Sequence, residues 1–210
     1  MAVRAYSKKK SGDNNISKNF KVREFASKDG SDTVLIDSTL VDYLQMIRTH
    51  FGKPLIITSG YRSAEYNASV GGTKTSYHTR GMAADIQVTG VNPVIVGMYA
   101  QTIGAGGIGL YAYASGGFVH VDTRPQQYRW ITLYKGDAYH QISRILPTIK
   151  QAVTSGNNVT AVKLLQRRLG VTESGTFGGI TTDAVKQFQR YSGLTVDGIV
   201  GQYTWRALFS

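Results

Sequence analysis

Between Ser38 and Pro54 the apolar residues Leu40, Leu44, Ile47 and Phe51 recur at helical spacing. This predicts an amphipathic helix that Ser38 caps and that Gly52 and Pro54 close. Residues 55–60, LIITSG, are a short apolar run that ends in a turn and predict a buried strand. Ala83, Ala84, Ile86 and Val88 predict another strand, and Asn92 followed by Pro93 opens a second helix, NPVIVGMYAQTIG. GIGLYAY and GFVHVDTR then predict two strands around a turn at Ser115, Gly116 and Gly117.

After about Arg144 the pattern changes. LPTIKQAVTSGNN has the texture of a connector, and the chain beyond it has only helical spacing. Val159, Val162, Leu165 and Leu169 form one face, closed by Gly170. Ala184, Val185, Phe188 and Tyr191 form a second, closed by Gly193, and Trp205 and Leu208 begin a third. Ser174–Thr181 (SGTFGGIT) repeats as Asp197–Thr204 (DGIVGQYT), each a glycine-rich turn followed by a Thr able to cap a helix. The expected units are therefore residues 1–145, mixed α and β, and residues 146–210, all α.

Composition narrows the function. A chain of 210 residues with 41% hydrophobic positions and 4 prolines has enough apolar surface to bury real cores. Its formal charge of +11 draws it to polyanions; nucleic acid, acidic membranes and anionic wall polymers all qualify. It has no cysteine, which leaves His, Asp and Glu as possible metal ligands. No run approaches the ~18–20 apolar residues of a membrane span. The amino terminus, MAVRAYSKKKSGDNN, lacks an apolar stretch after its basic residues, so no secretory signal is expected there. Cytoplasmic synthesis, with another route to any site outside, is the expectation.

The carboxy-terminal segments LQRRLG, AVKQFQ, GLTVDGIVG and TW, within Pro147 to Leu208, resemble the three-helix peptidoglycan-binding domain of wall hydrolases. Ser174 departs from that family's pattern, which has Asp in the first turn. Most of the apolar residues serve a core, so wall contact is expected from exposed Gln202, Tyr203 and Arg206. No helix shows a base-reading pattern, and nucleic acid is not an expected partner.

A catalytic zinc site takes about three protein ligands and leaves one position open. The chain has four histidines. His50 sits at a helix end, where it complements the dipole, and His140 lies beyond the last expected strand. His78 and His120 each adjoin a strand-like segment with an Asp nearby. SGYRSAEYNASVGG (59–72), SYHTRGMAADI (76–86) and FVHVDTR (118–124) together resemble the zinc D-Ala-D-Ala carboxypeptidase family. That family includes phage endolysin peptidases and belongs to the hedgehog/DD-peptidase superfamily. The resemblance covers about Asn19 to Trp130 and implies an α+β zinc domain. It implies zinc ligands His78, Asp85 and His120, with Arg62 facing the substrate carbonyl or carboxylate. It also puts Ser76, and Tyr61 beside Arg62, next to the substrate.

In better-known members an acidic residue stands three positions before the last histidine; here that position is Gly117. Asp122 is the expected replacement as general base, since strand residues two apart share a face. The alternative is that Asp122 braces a neighbouring His or Arg. The sequence thus implies a monomeric, zinc-dependent, endolysin-type peptidase that cuts an amide in the peptide stem or cross-bridge of peptidoglycan. It would be made without a signal peptide, be released during phage lysis and act on the wall, where anionic polymers are further partners and membranes are not. The alternatives are a carboxypeptidase that trims terminal D-Ala and a non-catalytic zinc-containing wall-binding protein.

Overall fold

A computed structural model describes residues 2–111, 116–132, 138–142, 145, 149 and 159–209. The first unit begins with β1 (Val3–Ser7) and a single helical turn, α1 (Lys8–Ser11); β1 pairs antiparallel with β2 (Thr33–Asp37). Helix α2 (Ser38–Phe51) comes directly after it. Its cap is Asp37 rather than the expected Ser38: the Asp37 carboxylate accepts from the Thr39 and Leu40 amides at 2.7 and 3.3 Å. Asp outcompetes the neighbouring Ser because the strand ends in extended backbone at 37, the geometry a cap requires. At the other end Gly52 takes the left-handed conformation and its amide reaches Arg48 O, as a helix-closing glycine does.

Next come β3 (Leu55–Ser59), α3 (Ala64–Ser69), β4 (Ala83–Val88), α4 (Pro93–Thr102), β5 (Gly107–Tyr111), β6 (Phe118–Asp122), β7 (Tyr128–Thr132) and β8 (His140–Ile142). The Asn92 side chain caps α4 and Pro93 is its first residue, both as predicted. Six strands form one sheet in the order β3-β4-β6-β5-β7-β8, antiparallel except for β5 beside β7. Strands β1, β2, β7 and β8 are additions to the expected set. Of the expected turn between β5 and β6, Gly116 and Gly117 are described and Ser115 is not.

Alternation divides the sheet into two faces. Ala84, Ile86, Val119, Val121, Ile108, Leu110 and Ile131 are buried in the core, on the side where α2 and α4 pack. The other face carries Asp85, His120, Asp122 and Trp130.

The helical unit consists of α5 (Val159–Leu169), α6 (Gly179–Tyr191) and α7 (Gln202–Phe209). Val162, Leu165, Val185, Trp205 and Leu208 are buried, but Tyr191 is 94% exposed. The buried face of α6 runs Thr181, Val185, Gln189: Val185 is in the predicted stripe and Phe188 packs partly buried against the core, but a glutamine takes a core position beside it. Gln189 Nε2 donates to Asp197 Oδ1, Ile199 O and Thr204 Oγ1, while its Oε1 accepts from the Gly198 amide. Gln166, 23 residues earlier, does the same with Ser174 Oγ, Thr176 O, Thr181 Oγ1 and the Gly175 amide. The repeat seen in the turns thus extends into the preceding helices, AVKLLQ (161–166) and AVKQFQ (184–189). Each buried amide satisfies the polar groups that its turn would otherwise leave unpaired. Ser174, in place of Asp, still accepts the glutamine's hydrogen bond. The expected boundary at 145/146 borders residues outside the described set; Ile149 pairs with Val200 of the helical unit in both directions. Among the described residues, no helix is long and apolar enough to cross a membrane.

Candidate metal centre

Register builds the site. Asp85 on β4 lies opposite His120 on β6, His120 opposite Gly109 on β5, and Gly109 opposite Trp130 on β7. These four form one row across the sheet, on the face turned away from α2 and α4. The next row is Ala83, Asp122, Gly107 and Tyr128. His78 arrives from outside the sheet, on a 3-10 turn (Tyr77–Arg80) that leads into β4. Ser76 starts that turn, its Oγ accepting from the His78 amide at 3.3 Å.

Three atoms able to ligate a metal converge. His78 Nε2 lies 3.1 Å from His120 Nδ1 and 3.3 Å from Asp85 Oδ1, and His120 Nδ1 lies 3.0 Å from Asp85 Oδ1. Ligands at ~2.0–2.1 Å from a tetrahedral zinc stand about 3.3–3.4 Å apart. The triangle is therefore close to one face of a zinc coordination tetrahedron. All three residues are buried, and among the described residues no other group of His, Asp or Glu has this convergence.

Each ligand's other polar atom is held. His78 Nδ1 is 2.7 Å from the carbonyl of Gly60; a carbonyl can only accept, so Nδ1 carries the proton and Nε2 presents a lone pair. Asp85 Oδ2 accepts from Arg62 Nη2 at 2.7 Å, and Arg62 Nε donates to Ser59 Oγ at 2.8 Å. His120 Nε2 lies 3.0 Å from Asp122 Oδ2. Such partners fix the tautomer and ring orientation of metal ligands.

The charges are strongly coupled. Burial would raise the Asp85 carboxyl, but the charges and hydrogen bonds of His78 and His120 hold it well below the usual carboxylate range. Burial likewise pulls the His120 imidazole down, yet Asp122 and Asp85 outweigh it and push its pKa up to about 9. The protonated ring supplies, in the metal-free protein, positive charge that the two carboxylates require.

The expected site residues fall into three groups. Arg62, Ser76, His78, Asp85 and His120 line one pocket of about 320 Å³. Asp122 shares a strand face with His120, as its spacing predicts, but it is 0% exposed and is not part of the pocket wall. It accepts from Arg124 Nε at 2.8 and 2.9 Å and from Arg124 Nη2. Tyr61 packs against the hydrophobic core and also lies outside that wall. Among the described residues of the wall Asp85 is the sole carboxylate; Glu65 and His140 do not contribute. Asp137 lies outside the described residues. His50 ends α2, where its ring stacks on Tyr99 at 3.7 Å. In the helical unit Tyr203 is 75% exposed beside Gln189 and Asp197, whereas Gln202 and Arg206 line a cleft with His50, Phe51 and α4.

Sequence reasoning missed four contributors. The Trp130 ring lies 5.0 Å from the His120 ring and tilted to it by 49°, and Arg124 lies against Tyr77, Tyr128 and Trp130. Gly107 and Gly109 make room for them: a Cβ on Gly107 would stand 2.1 Å from the Asp122 carboxylate, and one on Gly109 would stand 2.3 Å from the Trp130 indole. Alternate glycines in GIGLY, just before a His-Val-Asp strand, were the signal to read, since glycine within a strand marks close approach.

A buried His-Asp-His triangle at the face of a mixed sheet, braced from behind and open to a pocket, defines a metallopeptidase-type centre. Residues 17–122 match the peptidase M15 family, and the chain belongs to it. Residues 155–208 match the putative peptidoglycan binding domain. The chain is 37% identical over 100 residues to the peptidoglycan L,D-endopeptidase MepK of Escherichia coli (strain K12), 44% of this chain and 54% of that protein. Over 98 residues it is 36% identical to the probable peptidoglycan L,D-endopeptidase MepK of Haemophilus influenzae, 43% of this chain and 52% of that one. The chain thus spans about half the length of the curated relatives it matches.

Proposed function

We propose that this protein is a zinc-dependent peptidoglycan peptidase hydrolysing an amide of the peptide stem or cross-bridge. Residues 1–145 would be the catalytic unit and residues 146–210 the wall-binding unit. The observation that carries the assignment is the three-atom triangle at zinc spacing, each ligand held by a second partner: Gly60 O, Arg62 and Asp122. The relatives' activity favours an endopeptidase cut at an L,D bond over removal of a terminal D-Ala.

His78 Nε2, Asp85 Oδ1 and His120 Nδ1 would hold the metal. Bound zinc supplies Lewis acidity and lowers the pKa of a coordinated water toward ~7. Arg62 orients Asp85 through its Oδ2, and its permanent charge at the pocket wall stabilises the oxyanion that develops on the scissile carbonyl. Ser76 borders the peptide from the turn that carries His78. Asp122 fixes the His120 ring through Nε2; its complete burial beneath Arg124 supports this bracing role over that of general base. Gln202, Tyr203 and Arg206 on α7 would contact the wall, helped by the +11 charge on anionic polymers. The protein would act as a monomer, without nucleic acid or membrane, and the same chemistry would make it bacteriolytic, as an endolysin is.

The test is digestion of defined peptidoglycan with zinc-loaded and chelated protein, products identified by mass spectrometry. Zinc-dependent endopeptidase fragments are expected. Loss of terminal D-Ala alone would make it a carboxypeptidase. Intact muropeptides at full zinc loading would leave a non-catalytic wall-binding protein.

A further inference from the structure

The pocket wall holds a second arginine, and it is only partly used. Asp122 occupies one edge of the Arg124 guanidinium, taking Nε and one hydrogen of Nη2. A guanidinium has five N–H donors in a rigid fork. The pair of donors at the far end, one on Nη1 and the second on Nη2, has no hydrogen-bond partner among the described residues. The side chain is 20% exposed and lines the same pocket as the metal ligands.

Three rings hold the cation in place. Arg124 Cζ lies 4.7 Å from the centroid of Tyr77, 5.2 Å from Tyr128 and 5.5 Å from Trp130. Rings at these distances favour the cation and keep its plane from swinging. Asp122 fixes the rotation that remains. The result is a pre-oriented fork at the wall of the pocket, the arrangement in which a carboxylate is bound bidentately and most strongly.

Charge points the same way. Among the described residues of the wall the single carboxylate, Asp85, is already shared by His78, His120 and Arg62. Asp122, below the wall, is taken by His120 and Arg124. Among the described residues of the wall no acidic group is left to repel an incoming anion, and two guanidiniums face it. Arg62 adjoins the metal ligand Asp85. Arg124 instead follows the end of β6, past Asp122 and its row of the sheet, and joins the same pocket wall from there, so its anion belongs to the flank of the substrate rather than to the scissile amide.

We infer that Arg124 is a specificity residue that binds a free carboxylate on the substrate residue beside the cut bond. The inference rests on the peptidase reading above. It selects peptides in which that carboxyl is free over those in which it is amidated, because a carboxamide offers one acceptor and no charge to the fork.

Two stem peptides test this, matched in sequence, one with that carboxylate free and one with it as carboxamide. Zinc-loaded wild type is expected to prefer the free acid by at least about tenfold in kcat/KM, mainly through KM, the worth of one charge-assisted pair. Arg124→Gln should bring the ratio close to one, and Arg124→Lys, charged but without a fork, should fall between. The ratio is the readout because loosening Asp122 would slow both substrates alike; metal analysis of each variant confirms zinc content. A wild type indifferent to amidation, or an Arg124→Gln variant that keeps the preference, overturns the assignment. If wild type cleaves neither peptide, the peptidase reading fails instead. Arg124 is then judged by tryptophan-fluorescence titration with both peptides. Binding of the free acid about tenfold tighter or more in wild type but not in Arg124→Gln supports the site; equal binding removes it.

Discussion

The Nε2 nitrogen of His120 stands 3.0 Å from Oδ2 of Asp122, on the edge of the ring opposite the one that meets Asp85 and His78. An imidazole has two nitrogens. If one is committed to a metal, the other decides which tautomer exists and which way the ring faces. The two residues share a face because they are two apart on β6, and that spacing alone would suit a base or a brace equally well. The burial of Asp122 beneath Arg124 supports the brace.

Asp122→Asn is therefore expected to weaken zinc binding by roughly 10–100-fold while leaving the fold intact. Turnover should return when zinc is raised to saturation. A general base would behave otherwise: at full zinc occupancy the rate would remain ~10²–10⁴ lower. A zinc titration with turnover measured at each point distinguishes the two.

Metal removal should destabilise the protein, and pH should act in opposite directions on the two forms. His120 is raised from 6.5 to about 9 in the folded, metal-free protein. That contribution is fully present below pH 6.5 and is lost as pH rises through about 9, on the order of 3 kcal/mol. Chelated wild type should therefore lose its stability advantage over chelated His120→Gln between those limits. Zinc competes with the same proton, so its apparent affinity should rise with pH up to about 9. Thermal melts and zinc titrations at about pH 6, 7.5 and 9 check both signs. Alanine at His78, Asp85 or His120 should abolish zinc binding.

Gly107→Ala tests the space behind the site. The added methyl would stand 2.1 Å from the Asp122 carboxylate and must displace it. Overpacking of this kind costs about 1–3 kcal/mol, and zinc affinity should fall along with stability. Unchanged zinc affinity would show that the carboxylate can shift without releasing the His120 ring.

Gln166→Leu and Gln189→Leu should each destabilise the helical unit. Each removes the partner of a buried glycine amide, at Gly175 and Gly198 respectively. The penalty for an unsatisfied buried group is about 1–3 kcal/mol, and the matching bond sets predict similar values for the two variants. Denaturant melts of the unit from Pro147 onward provide the comparison.

That same fragment should sediment with purified walls at low salt. Alanine substitution of Tyr203 should reduce binding without lowering the melting temperature, since the ring is 75% exposed. A chain ending near Arg144 should retain zinc and cleave soluble muropeptides while losing much of its activity on intact walls, where tethering raises local substrate concentration. A fragment that stays in the supernatant would remove the wall-binding assignment.

Local signals in the chain determined a good deal. Asn92-Pro93 and Gly52 bound their helices by backbone chemistry that needs no distant partner. Period-two alternation placed His120 with Asp122 and against Val119 and Val121, because the pleat enforces it in any sheet. The resemblance named His78, Asp85 and His120, and those three meet at zinc spacing. Tyr191 falls outside the core because α6 buries Gln189 as its anchor, which a pattern of apolar residues alone does not show.

What the chain could not determine alone depends on which strands become neighbours. Strand β7 lies parallel beside β5, so Trp130 comes to the edge of His120 across Gly109, although imidazole and indole sit on strands that are not themselves paired. The two roles open to Asp122 depend on its burial beneath Arg124, which rings from the Tyr77 turn and from β7 hold in place. Tyr61, adjacent to Arg62, turns to the core because the direction of a single loop residue is set by what packs against it. Spacing along a strand is fixed by covalent geometry. Burial, register and the partner on the far side of a ring are set by non-local packing, and that is why the resemblance pointed to His78, Asp85 and His120 while the bracing around them could not be read from the sequence.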